Sequence, residues 1–324
     1  MFYVLASYPN NTDLAGEFDT ELGWLQILQR VRTLRQRYVT NAILRDRLEA
    51  LPHQLKQPTV RPWGAIAWHE VQPHQLVGID RETFCATLLG TINTEAPIRG
   101  YTQSSRQYLE RLYPAMARYV GGCVGESGKL VKMGLWEREE KRHTPALAKL
   151  YTILSGARPR IVPHAARPYQ PAADPRENLY RHGLHRVATE YGATCLYLWM
   201  MAHSTGALQA VLAELLIDEI NHMTKFWGFG MWAYPDSSLV KIGHTLSRAM
   251  RRKQRDRTAH GRLLHTLRRM MNESAWERWS PAQRLTLLYT FDQVIKPLCA
   301  WNGTLTPAYL EALFGKPDEI GNAT

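Results

Sequence analysis

The chain has 324 residues, 45% of them hydrophobic, and a formal net charge of +11 at pH 7. That length and apolar content support one large packed domain and exclude global disorder. The basic balance points to an acidic partner or nucleic acid, and four scattered cysteines with no C-x-x-C argue against a zinc or thioredoxin-like site and for a reducing compartment.

The first eleven residues lack a basic n-region and a long apolar stretch, so no signal peptide is expected and the expected location is cytoplasmic. Residues 18–50 read as one long amphipathic helix through Leu22, Leu25, Leu28, Val31, Leu34 and Val39. Residues 51–80 hold Pro52, Pro58, Pro62 and Pro73 with Trp63 and Trp68, a structured connector. A helix from near Asp80 carries Phe84, Leu88, Leu89 and Ile92 towards Glu95. Helical patterning resumes over Ser104–Val120 and breaks at Gly121 and Gly122, with a turn at Gly125–Gly128. The next helix is expected from about Lys129 to Ser155, stopped by Gly156.

A proline-rich crossover over 156–175 ends at Asp174-Pro175, an N-cap followed by a first-turn proline. The helix that follows carries Glu190, and a turn near His203–Gly206 leads into the helix carrying Glu219. The uncharged run Tyr191–Ala213 is interrupted by polar residues and reads as part of a helical hairpin, not a membrane span. Trp227–Ser237 reads as an aromatic, glycine-rich loop, with helices at about 238–273 and 281–300 and a short last helix from Thr306-Pro307 to Gly315. Arg248, Arg251, Arg252, Lys253, Arg255, Arg257, Arg262, Arg268 and Arg269 form a basic stretch, either a solvated face or a docking surface for an acidic partner. No β-strand pattern, Walker loop or dinucleotide fingerprint stands out.

The chemistry sits in two copies of Glu-x-x-His, E-E-K-R-H at Glu139–His143 and D-E-I-N-H at Asp218–His222. Residues three apart on a helix share a face, so each copy aims a carboxylate and an imidazole at one point. Adding Glu95 and Glu190 from two more helices gives the ligand set of a di-iron four-helix bundle: Glu95, Glu140, His143, Glu190, Glu219 and His222. Mixed carboxylate and imidazole ligation suits iron that activates oxygen. No charged residue occurs from Tyr191 to Ala213, and then Glu214, Asp218, Glu219 and His222 appear among apolar neighbours. Acids in such surroundings are costly unless paired or metal-bound. Glu110 is the alternative to Glu95 as first ligand. The fold expected is all-α: a single ferritin-like four-helix bundle domain, core about residues 80–230, with additional N- and C-terminal helices.

Over those same residues the chain resembles the soluble acyl-acyl-carrier-protein desaturases of plants and bacteria. W-E-R-E-E-K-R-H (Trp136–His143) resembles the family's W-T-A-E-E-N-R-H, and D-E-I-N-H-M (Asp218–Met223) its D-E-x-x-H. L-L-G-T-I-N-T-E-A-P (Leu88–Pro97), L-A-K-L-Y-T-I-L-S-G (Leu147–Gly156) and D-P-R-E-N (Asp174–Asn178) resemble segments in the same order. The resemblance implies two irons per chain, one on Glu95 and His143, the other on Glu190 and His222, bridged by Glu140 and Glu219. It implies O2 as co-substrate and desaturation of a fatty acyl chain. Its partners would be acyl carrier protein or another acidic carrier, a ferredoxin-like electron donor and a second copy in a homodimer.

Asp218 corresponds to the family's Asp that orients the opposite histidine, His143, and Glu139 occupies the mirrored place towards His222. Trp63 or Trp68 is the candidate for the family's electron-relay tryptophan, and Tyr191, Leu196, Leu198, Met200 and Met201 are candidates to line a substrate channel. The family carries a Thr three residues after its third glutamate. That position is Ala193 here and Thr194 follows, so Thr194 is the candidate for the hydroxyl. Tyr191 replaces the family's Arg. Alternatives that keep the metal are a di-iron hydroxylase or N-oxygenase on a small molecule or tRNA, and a non-catalytic ferritin-like protein. A helical nucleic-acid-binding protein is a further alternative, although no RNA-binding signature is present.

Overall fold

The computed structural model describes residues 22–237 and 276–316. Among the described residues the fold is all-α apart from one small hairpin. Where one long helix is expected over 18–50, the described residues form two, α1 (Trp24–Tyr38) and α2 (Asn41–Glu49), and a third short helix, α3 (Leu51–Lys56), opens the stretch expected as connector. The break has a local cause. Thr40 is extended, and its hydroxyl accepts from the Ile43 N–H, which ends one helix and caps the next. Leu22, Val31, Leu34 and Val39 face the core as the periodicity requires, joined by Ile27, Leu44 and Leu48, whereas Leu25 is exposed and Leu28 only partly buried.

The connector after α3 runs without regular helix, apart from two single turns, to α4 (Arg81–Glu95). Asp80 caps α4 through the Thr83 N–H at 2.7 Å. The stretch expected as one helix over Ser104–Val120 is two, α5 (Ile98–Leu109) and α6 (Pro114–Gly121), because Pro114 starts a new helix and cannot continue the old one. A β-hairpin missing from the sequence reading follows, β1 (Cys123–Val124) against β2 (Leu130–Lys132). It is too short to show alternation. The helix expected from Lys129 is therefore later and broken: α7 (Leu135–Glu140) and α8 (His143–Ser155), with Gly156 in the left-handed conformation as its stop. Lys141 and Arg142 keep helical backbone angles across the break, so Glu140 and His143 remain on one face.

Two helices of 28 residues each, α9 (Pro175–Ala202) and α10 (Gly206–Ala233), pair as a hairpin and form the centre of the molecule. Asp174 caps α9 as expected. The segment 227–233, expected as loop, is the last turns of α10; Trp227, Phe229 and Trp232 pack there, so burial overrides the glycines. Gly228 lets α10 approach α2, since a Cβ there would sit 2.3 Å from Leu48. α11 (Pro281–Asn302) and α12 (Pro307–Phe314) start where expected, each opened by a proline and capped by the residue before it, Ser280 and Thr306. α11 packs on α1 and α9, and α12 on α10. The basic stretch at 248–269 and the helix expected at 238–273 lie outside the described residues. The described cysteines are all free. No helix among the described residues is long and apolar enough to cross a membrane.

Candidate metal centre

Four helical segments bring their acids to one place. Glu95 is the last residue of α4, Glu140 and His143 flank the α7–α8 break, Glu190 lies in the middle of α9, and Glu219 and His222 share a face of α10. Their ligand atoms form two overlapping groups, each within 4.8 Å: Glu95, Glu140, His143 and Glu219, and then Glu140, Glu190, Glu219 and His222. Glu140 and Glu219 belong to both. His143 Nδ1 lies 3.3 Å from Glu140, 3.2 Å from Glu219 and 3.9 Å from Glu95. His222 Nδ1 lies 2.7 Å from Glu140 and 3.8 Å from Glu190. The ring centroids are 6.4 Å apart. The six residues expected from sequence are thus brought together. Glu110 is not among them: it caps the end of α5, half-exposed and paired with Arg106.

The outer face of each imidazole is held by a carboxylate. His143 Nε2 lies 3.3 Å from Asp218 and His222 Nε2 lies 3.0 Å from Glu139. This turns both Nδ1 atoms inward. Asp218 also accepts from Arg61 Nε at 2.8 Å, Trp63 Nε1 at 2.8 Å and Arg142 Nη2 at 2.7 Å. The Arg61 backbone N–H donates to Glu139 at 2.9 Å, so one connector residue touches both carboxylates. Arg61 is anchored in turn by Glu214 at 2.6 Å. Trp63 stacks on His143 at 6.3 Å, whereas Trp68 lies under Lys149, away from the centre. Trp136 Nε1 donates to Glu140 and the Tyr197 hydroxyl to Glu95. Sequence reasoning missed Arg61, Arg142 and Tyr197. The placing of Glu214 at the end of an apolar run signalled that it has a partner, but nothing in the sequence identified that partner as Arg61.

Burial makes this cluster costly without a counter-charge. It pushes the Glu95 carboxyl up to about 8 and that of Glu190 to about 7, helped in each case by the charge of Glu140. Glu219 is raised for the same two reasons. Burial opposes ionisation of Glu140 as well, but His143 and His222 on either side hold it well below the usual range. Both imidazoles are raised, Glu140 outweighing their burial. Without a cation the cluster is thus held by protons. Nδ1 of both histidines and Oε1 of Glu219 have no well-aligned hydrogen bond, although all are buried. Inward imidazole lone pairs among four carboxylates fit a pair of divalent cations, whose charge the carboxylates would balance.

A cavity reaches the cluster from the α4–α9 side, lined by Glu95, Glu140, Glu190 and Glu219 with Thr91, Ala193, Leu196 and Tyr197 among others. Leu196 is the one expected channel residue among its described lining. Tyr191 bonds the Phe291 carbonyl instead, and Leu198, Met200 and Met201 are buried core. Thr194 is buried with its hydroxyl lacking a hydrogen bond, and is not among the described lining residues. Comparison of the chain with protein-family models, with curated proteins and with solved structures finds no match.

Proposed function

We propose that the protein is an O2-dependent di-iron oxidoreductase of ferritin-like architecture, acting on an apolar chain. One observation carries the reading most of the way: two histidines present Nδ1 to a shared pair of glutamates while a carboxylate fixes each Nε2. Glu95 and His143 would hold one iron, Glu190 and His222 the other, with Glu140 and Glu219 between them. Bound iron would supply the activation of O2, which side chains alone cannot perform.

The chain's own residues do the rest. Asp218 and Glu139 keep the imidazoles in the tautomer that offers Nδ1 as ligand and raise their basicity. Tyr197 orients Glu95, and Trp136 orients Glu140. The cavity beside Ala193 and Leu196 gives a substrate access while the packed helices exclude bulk water. Trp63, hydrogen-bonded to Asp218 and stacked on His143, connects the centre to the connector and is the site for electron entry from an external donor.

Desaturation is the reaction the sequence resemblance supports. It removes two hydrogens from the chain and takes two electrons and two protons from outside as O2 becomes two waters. Acyl carrier protein and a ferredoxin-like donor are the proposed acidic partners of this basic chain. The test is anaerobic loading with ferrous iron, followed by O2 uptake with a reductant and product analysis. Substrate-dependent uptake yielding an olefin supports the proposal, and an alcohol would move it to hydroxylation. Iron oxidation without turnover would leave a non-catalytic ferritin-like protein.

A further inference from the structure

Glu190 and Tyr197 stand seven residues apart on α9, two turns along one face. The helix that delivers a carboxylate to the centre therefore delivers a phenol as well. Tyr197 is fully buried and lines the metal-side cavity, and its hydroxyl donates to Glu95 Oε1 at 3.1 Å. Its ring meets the His143 imidazole edge to face, with centroids 6.3 Å apart. A phenol is thus packed against both side chains proposed to hold one iron.

The two oxygens of Glu95 have different partners. Oε2 turns towards His143 Nδ1, 3.9 Å away, and Oε1 is left to the phenol. A metal held through Oε2 leaves Oε1 as an acceptor. Trp136, also bonded to a ligand, lacks this arrangement. It donates to Glu140 Oε1, which lies 2.7 Å from His222 Nδ1, while Glu140 Oε2 faces His143 Nδ1 at 3.3 Å. Both oxygens of that carboxylate face an imidazole, so neither is left for the indole proton. A phenol loses an electron readily only when its proton leaves too, and the group that takes the proton must lie within hydrogen-bond reach, about 2.6–3.2 Å. Glu95 Oε1 meets that condition.

We infer that Tyr197 is a redox site, a one-electron donor to the metal centre that becomes a neutral phenoxyl radical while its proton passes to Glu95. The inference rests on the di-iron reading and adds to it a fate for O2 that arrives when the cavity holds no chain. Converting O2 to two waters takes four electrons and four protons. Two ferrous ions supply two electrons, an external reductant one and Tyr197 one. The phenol supplies one proton by way of Glu95, and solvent supplies three. One electron and one proton then restore the phenol. Trp63 stacks at 6.3 Å on the same imidazole that Tyr197 meets, so an electron entering there reaches the tyrosine across one ring.

The test mixes the full chain, loaded anaerobically with ferrous iron, with O2 in the absence of any acyl substrate, a slight excess of ferrous ion serving as the external reductant. Samples are frozen on the millisecond scale and read by electron paramagnetic resonance, with iron content and oxidation state measured on the same samples by elemental analysis and Mössbauer spectroscopy. The wild type is expected to show a transient organic radical whose hyperfine pattern collapses when the protein carries ring-deuterated tyrosine. Tyr197→Phe, compared at matched iron content, should lose that signal. Tyr101→Phe, from the wall of the same cavity, should keep it. A tyrosine that only orients Glu95 gives no such radical. Iron that is oxidised without a tyrosine radical, or a tyrosine radical that survives Tyr197→Phe, would overturn the inference and leave the di-iron reading standing. A chain that takes up no iron loses both.

Discussion

His143 and His222 occupy equivalent places in the ligand set and different places in the protein. Behind His143 stands Asp218, which accepts from Arg61, Trp63 and Arg142, a cationic and aromatic network with 17–25% of each arginine side chain exposed. Behind His222 stands Glu139, reached by one backbone N–H, with the buried Lys225 nearby. Lys225 is wholly enclosed, bonded to Gln54, and burial lowers it to about 7. The same Glu-x-x-His word thus faces the outside on one side and the interior on the other. The lesson is that a duplicated ligand motif sets where a metal goes, while the outer contacts decide what each half can do. Electrons would enter on the Asp218 side.

The largest expected effect concerns what the halves share. Glu140→Ala or Glu219→Ala should drop iron from about two per chain to well below one, since both groups use these carboxylates, whereas Glu95→Ala should keep about one. Elemental analysis after anaerobic loading separates the three variants. Equal loss in all of them would remove the distinction between shared and unshared ligands.

The outer carboxylates come next. Asp218→Asn and Glu139→Gln should each lower O2 consumption at matched iron loading, roughly 10–100-fold for loss of such a partner. Asp218→Asn should fall lower, because it also loosens Arg61, Trp63 and Arg142. Equal rates in the two variants would make the halves alike in function as well as in ligands.

A smaller and more selective effect is expected for Trp63→Phe. It should bind iron normally, destabilise the fold by about 1 kcal/mol through the lost hydrogen bond, and slow reduction by a protein donor in stopped-flow measurements. Unchanged reduction would leave Trp63 as packing against His143.

Legibility differed along the same line. The four residues of the two Glu-x-x-His words could be read because helical spacing carries over to space, and because acids in an apolar run need an explanation; Glu95 and Glu190 were placed by the family resemblance, with Glu110 open as the alternative to Glu95. The cap at Asp174, and the helix starts near Asp80, Ser280 and Thr306, could be read for a similar reason: the residue that starts the helix is the residue that bonds its N–H groups. Arg61 could not be read. It reaches Asp218 from 157 residues away, through a connector whose path no periodicity specifies. The β-hairpin at 123–132 was missed because strands of two and three residues show no alternation, and the final turns of α10 because packing there overrides the glycines.

The weakest expected effect is on stability against pH. Glu95 rises from 4.5 to about 8 on folding and Glu190 to about 7, and both histidines rise as well. A group raised on folding stabilises fully below its unfolded value, and that contribution is lost as pH climbs through the folded one. Iron-free protein should therefore melt lower at pH 8.5 than at pH 6 by scanning calorimetry. Iron displaces those protons, so the loaded protein should lose much less over the same interval and its iron affinity should rise with pH. A melting temperature that climbs over this interval without iron would contradict the assignment of protons to the cluster.

The central claim is that the two groups of four hold a metal pair. Titration of the wild-type chain with ferrous iron under anaerobic conditions, followed by elemental analysis, tests it most directly. The account predicts uptake that saturates at about two irons per chain. A chain that remains helical and binds none would contradict it.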